Sequence, residues 1–156
     1  MHRIWATAVV ILIATIAAAQ EPAYRDDRST PTAVIESFYN AIDRHEYLRA
    51  WSYFGGDSVG DYQTFKAGYA KTQRVMVRVS APSGEGAAGT IYTHLPTVIA
   101  ATREDGTVAV FAGCYVVAAV NAVIQDTPPF VPMRIVERTL TPTDASFDTA
   151  TGTCAD

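Results

Sequence analysis

Two cysteines, Cys114 and Cys154, carry the most reactive side chains in this sequence. A thiol serves as a nucleophile, a metal ligand or half of a crosslink, and its neighbours decide which. Nucleophilic use requires a base, and His94 is the candidate to activate Cys114. The two residues lie in the runs TIYTHLPTVIAAT and TVAVFAGCYVVAA, joined by EDGT. Asp105-Gly106 predicts a two-residue hairpin loop, because both turn positions favour positive φ. Glu104 then pairs with Thr107, Cys114 falls opposite Thr97, and His94 falls opposite Val117. Side chains alternate faces along a strand, so this register separates His94 from Cys114 by the thickness of the sheet. Only a bulge at Pro96 would return them to one face.

The same count places Tyr92, His94, Phe111 and Tyr115 together. His94, Tyr92 and Tyr115 are the side chains there that can exchange a proton. Their ordinary readings are a hydrogen-bonded strand histidine and an aromatic layer. Asp43, His45 and Asp61 fall near helix ends. No set of these residues matches a catalytic signature, so the expected catalytic constellation is none. A metal needs clustered ligands. His45 and His94 lie on different elements, with no HxxxH or CxxC spacing, and no metal is expected. Gly84-Glu85-Gly86-Ala87-Ala88-Gly89 fits GxGxxG, but the strand-like TIYTHL follows it where a dinucleotide site needs a helix. It reads as a flexible loop, and no cofactor is expected.

What must position these residues begins with the leader. MHRIWATAVVILIATIAAAQ has a basic start, an apolar run over Ile4 to Ile16, and small residues at 17–19. That is the order of a secretory signal peptide covering residues 1–19. The run is shorter than the roughly 20 residues of a spanning helix, and no second apolar span follows. The sequence thus predicts a periplasmic or secreted product without a membrane span. In an oxidising compartment, two cysteines in one domain pair. Cys114 is therefore expected to bond Cys154 and pin the polar tail, closing a loop of about 40 residues for about 4 kcal/mol. The formal charge is −4 with only two lysines, no clustered basic face is visible, and no nucleic-acid partner is expected.

The 156 residues amount to one domain. Residues 20–29 read as a flexible arm, and 30–156 as the folded domain. Thr30-Pro31 marks a helix start, and Val34, Phe38 and Ile42 form its apolar stripe. Tyr47, Leu48, Trp51 and Phe54 share a face of a second helix; Tyr62, Phe65 and Tyr69 share one of a third. After Thr72 the period changes to two, giving Val75, Val77 and Val79, the long hairpin, and MRIVERTL as a last strand. The stretch 80–89 between the first two strands reads as a loop. Three helices and then about four strands define an α+β architecture.

In this order, PTAVIESFYNAIDRHEYLRAWSYF, TFKAGYAKTQRVMV and the hairpin resemble the NTF2-like superfamily, the cystatin-like α+β cone. The resemblance covers residues 31–141 and implies N-terminal helices seated in the hollow of a curved antiparallel sheet. It also implies either a binding domain or a small isomerase, dehydratase or cyclase-type enzyme, the latter with His94, Tyr92 or Tyr115 as acid-base groups in the cone. The first reading is an exported, non-catalytic binding domain for a small apolar ligand or an envelope protein. Tyr39, Trp51, Tyr69 and Phe111 are its candidate ligand contacts. The expected second sheet face carries Leu95, Ile99, Val110, Ala112, Val116 and Ala118. A sheet apolar on both sides must be covered twice, so a homodimer through this outer face is expected.

Overall fold

The computed structural model describes residues 21–155, so the signal-peptide segment 1–19 lies outside the described residues. Helix α1 (Pro31–Asp43) starts where the sequence indicates: the Thr30 hydroxyl accepts from Ala33 N–H at 3.1 Å, and Pro31 occupies the first turn. It buries Val34, Ile35, Phe38, Tyr39 and Ile42, each at most 2% exposed. Burial of one such side chain contributes about 1.5–3 kcal/mol. Helix α2 (Tyr47–Trp51) is short, and α3 (Tyr62–Tyr69) is capped by the Asp61 carboxylate, which accepts from Gln63 and Thr64 N–H. These bonds hold the Asp61 carboxyl below its ordinary pKa, the Thr64 contact first.

Six strands follow: β1 (Thr72–Val79), β2 (Ser83–Ala87), β3 (Thr90–Arg103), β4 (Val108–Val120), β5 (Arg134–Arg138) and β6 (Thr141–Thr143). They form one curved, unclosed antiparallel sheet ordered β1-β3-β4-β5, with β2 on β3 and β6 on β4. The helices fill its hollow: Phe38, Ile42, Tyr53 and Phe65 pack against Val75, Leu95, Ile99, Tyr115, Val117 and Ile135.

Two hairpins differ from expectation. The stretch 80–89 is not a loop: Ser83–Ala87 pairs with Thr90–His94 across a tight turn at Ala88 (φ 48°) and Gly89 (φ 80°). Both turn residues take the left-handed conformation of a two-residue hairpin loop. At Asp105-Gly106 the loop instead has three residues. Gly106 N–H bonds Arg103 carbonyl, Arg103 N–H bonds Thr107 carbonyl, and only Gly106 is left-handed (φ 81°). That combination is a turn followed by a glycine bulge. Pairing therefore begins at Thr102–Val108, and Cys114 stands opposite Pro96, not Thr97.

A one-residue change of register moves every side chain of one strand to the other face. Leu95 and Ile99 join Phe111 and Tyr115 inside the hollow, whereas Tyr92 and His94 join Cys114, Val116 and Ala118 on the outer side. The expected grouping of His94 and Tyr92 with Tyr115 and Phe111 is thus corrected, and so is the separation of His94 from Cys114.

The disulfide Cys114–Cys154 is present, with a Cα–Cα distance of 4.9 Å. Its tail crosses the outer face. Arg78 Nη2 donates to Ala150 carbonyl at 2.7 Å, its guanidinium lies 5.1 Å from the Phe147 ring centroid, and Gly152 passes against Thr97 and Gly113. A Cβ at 152 would come within 2.3 Å of Thr97 N, so only glycine permits this approach. Part of the face expected to be open is thereby covered by the chain itself. Residues 21–29, read as a flexible arm, form no helix or strand but lie against the helices. Asn40 bonds Ala23 carbonyl and Arg25 N–H, and Ser37 bonds Asp27.

Candidate functional site: an aromatic cavity in the hollow of the sheet

Where α3 leaves the sheet incompletely filled, a cavity of about 530 Å³ opens between α1, α3, β3, β4 and β5. That volume suits a small organic molecule. Phe65, Ile99, Phe111 and Leu140 supply apolar wall; Tyr39, Tyr69, Tyr115 and Arg138 bring polar groups, and Arg103 and several threonines also line the cavity.

Each polar group has a local cause. Tyr39 lies one residue beyond Phe38 on the buried stripe of α1. Its hydroxyl meets that of Tyr115, on β4, at 2.6 Å, with both side chains at most 2% exposed. The rings lie edge to face at 6.1 Å, a favourable aromatic arrangement. Tyr69 ends α3, and its hydroxyl accepts from Arg138 Nη1 at 2.9 Å. Arg138 reaches the cavity through a bulge in β5: Ile135 pairs with Val117, Glu137 with Val116, and Arg138 with Tyr115. Strict alternation from Ile135 would have turned Glu137 inward. The extra residue substitutes a cation for a carboxylate at the cavity rim.

Burial, the largest cause in each case, raises the pKa of Tyr39, Tyr69 and Tyr115. All three are neutral phenols at neutral pH. Tyr39 and Tyr115 together have two protons and spend one on each other. Tyr69 accepts from Arg138 and keeps its own proton free, and the guanidinium has further N–H groups to offer. Arg138 and Tyr69 thus offer N–H and O–H donors beside a positive charge, and their complement is a negatively charged ligand oxygen.

Of the residues singled out from sequence, Tyr39, Tyr69, Phe111 and Tyr115 meet in this cavity. Trp51 does not; it stacks edge to face on Tyr62 at 6.1 Å, and its buried indole N–H has no partner among the described residues. Tyr92 and His94 lie on the opposite sheet face. His45 bonds Thr72 carbonyl, and Asp43 accepts from Val75 N–H, so both tie α1 to β1. Phe65 was legible only as part of a helix face, and Leu140 only as the end of a strand. Arg138 was not found, because a bulge has no signature in the two-residue period.

Helices in the hollow of an unclosed antiparallel sheet, with a cavity at their open end, define an NTF2-like α+β cone. Solved structures agree. An NTF2-like superfamily protein from Salmonella enterica serovar Typhimurium superposes with TM-score 0.52 at 14% identity, over 74% of this chain and 89% of that one. A candidate aromatic ring hydroxylase from Novosphingobium aromaticivorans superposes with TM-score 0.53 at 12% identity, over 75% and 93%. The chain has the NTF2-like fold. No protein-family model matches it, and no curated protein matches it in sequence.

Proposed function

We propose that this chain is an exported, non-catalytic binding domain whose cone takes a small molecule with an apolar, flat body and one anionic oxygen. The single observation that carries this is the pairing of the Arg138 guanidinium with the Tyr69 hydroxyl at the rim of a cavity that has aromatic walls and no carboxylate among the described residues. The disulfide, and the lack among the described residues of a helix able to cross a membrane, are compatible with an extracellular or periplasmic location. Binding is favoured over acid-base catalysis for two reasons. The lining has no carboxylate or imidazole among the described residues, and the Tyr115 hydroxyl is engaged with Tyr39.

The test is calorimetric titration of the oxidised chain with naphthoate and with its methyl ester. Tighter binding of the acid supports the reading. Equal affinity for acid and ester, or no heat from either, removes it.

A further inference from the structure

We propose that Cys114, Cys154 and His94 bind one soft, thiophilic metal cation when their disulfide is reduced, so that crosslink and metal centre are alternative states of the same residues. The carrying observation is the meeting of three ligand groups on the outer sheet face. A His94 ring nitrogen and the two Sγ atoms lie within 4.8 Å of one another. They come together only because the three-residue loop sets Cys114 opposite Pro96.

Two thiolates and one imidazole select cations such as Cu(I) and Zn(II) over hard ions, which prefer oxygen. With metal–sulfur bonds of about 2.3 Å, two thiolates of a tetrahedral centre stand about 3.8 Å apart. Cleaving the bond lets the sulfurs separate to that spacing by rotation of the side chains alone. His94 then needs to approach by about 1 Å to complete bonds of ordinary length.

Three features keep the ligand set together without the covalent link. The Arg78–Ala150 hydrogen bond, the Arg78–Phe147 stack and the seat of Gly152 still hold the tail over β4. Cys114 is 5% exposed and the His94 side chain 28%, which leaves a largely dry site open on one side. Glu85, on the neighbouring β2, places a carboxylate oxygen 3.6 Å from His94 Nε2. With Nδ1 as the metal ligand, a carboxylate at Nε2 would orient the ring and strengthen it as a ligand.

Opening the site takes a dithiol reductant. Its thiolate attacks one sulfur of the pair, the other leaves as a thiolate, and the second thiol resolves the mixed disulfide. Two electrons and two protons pass to the chain, and the reductant ends as its own disulfide. The cation then displaces both thiol protons and accepts the imidazole lone pair.

The full chain, reduced with dithiothreitol and exchanged into anaerobic buffer, is titrated with Cu(I) against a colorimetric chelator, and with Zn(II) in parallel. The reduced chain is expected to bind one equivalent of either metal, the oxidised chain none. The His94→Ala variant keeps both thiols, and its affinity is expected to fall about tenfold or more. Near-ultraviolet circular dichroism of the reduced chain reports that the fold persists. Equal affinity in the parent and His94→Ala, binding by the oxidised chain, or loss of the tertiary signal on reduction would each overturn the site.

Discussion

The hydroxyls of Tyr39 and Tyr115 meet at 2.6 Å inside an aromatic core, and this contact ties α1 to the centre of β4. A polar bond there has consequences for stability, because both side chains are at most 2% exposed and each hydroxyl has the other as its partner. Tyr39→Phe or Tyr115→Phe alone strands the remaining hydroxyl and is expected to cost about 1–3 kcal/mol. The double Phe variant removes donor and acceptor together and is expected to cost less than the two single changes combined. Urea unfolding of all four chains measures the coupling. Additive losses would show that the bond contributes nothing of its own.

Alkaline pH offers an independent probe. Burial raises Tyr39 and Tyr115 above their ordinary value of 10.0, so the folded chain retains these protons where the unfolded chain releases them. The stabilisation is complete below pH 10 and falls as pH rises further. Its slope is about 1.4 kcal/mol per pH unit for each tyrosine that stays protonated only in the folded state. The Tyr39→Phe/Tyr115→Phe chain should unfold over a shallower alkaline profile, and an unchanged profile would contradict the assignment.

The tail crosslink spans 40 residues of sequence. Chain entropy assigns such a loop about 4 kcal/mol, so Cys114→Ser/Cys154→Ser should lose stability of that order in denaturant titrations. Because Gly152 and Arg78 still engage, the sheet should persist, with its far-ultraviolet signal unchanged. A loss below about 1 kcal/mol would mean that the tail is already fixed by its other contacts.

Arg138 sits at the cavity rim, where its guanidinium donates to the Tyr69 hydroxyl. Arg138→Leu should preserve the apolar walls while removing the charge. Naphthoate affinity is expected to fall about tenfold, the loss of one charge-assisted hydrogen bond, with the methyl ester little changed. If both compounds weaken equally, the arginine supports the cavity's shape and does not select the ligand.

The helices and the aromatic content of the hollow were legible because Val34, Phe38 and Ile42 recur at helical spacing, and because Val75, Val77 and Val79 alternate. Three features were not. Asp105-Gly106 signals a hairpin without stating how many residues its loop holds, and one residue more exchanged the company of His94 and Tyr115. Ser83–Ala87 carries little side-chain pattern; it becomes a strand because β3 continues beyond β1 and presents unpaired backbone groups there. Arg138 turns inward only after the irregularity at Val116 and Val117, a property of paired strands that a single segment does not display.

In the native register the Cys114 sulfur lies on the same sheet face as the tail. Were β4 to slip by one residue against a β3 already seated on the helices, that sulfur would turn toward the hollow, away from Cys154. In refolding, thiol loss in the parent chain is therefore expected to follow the native pairing of these two strands and not to precede it.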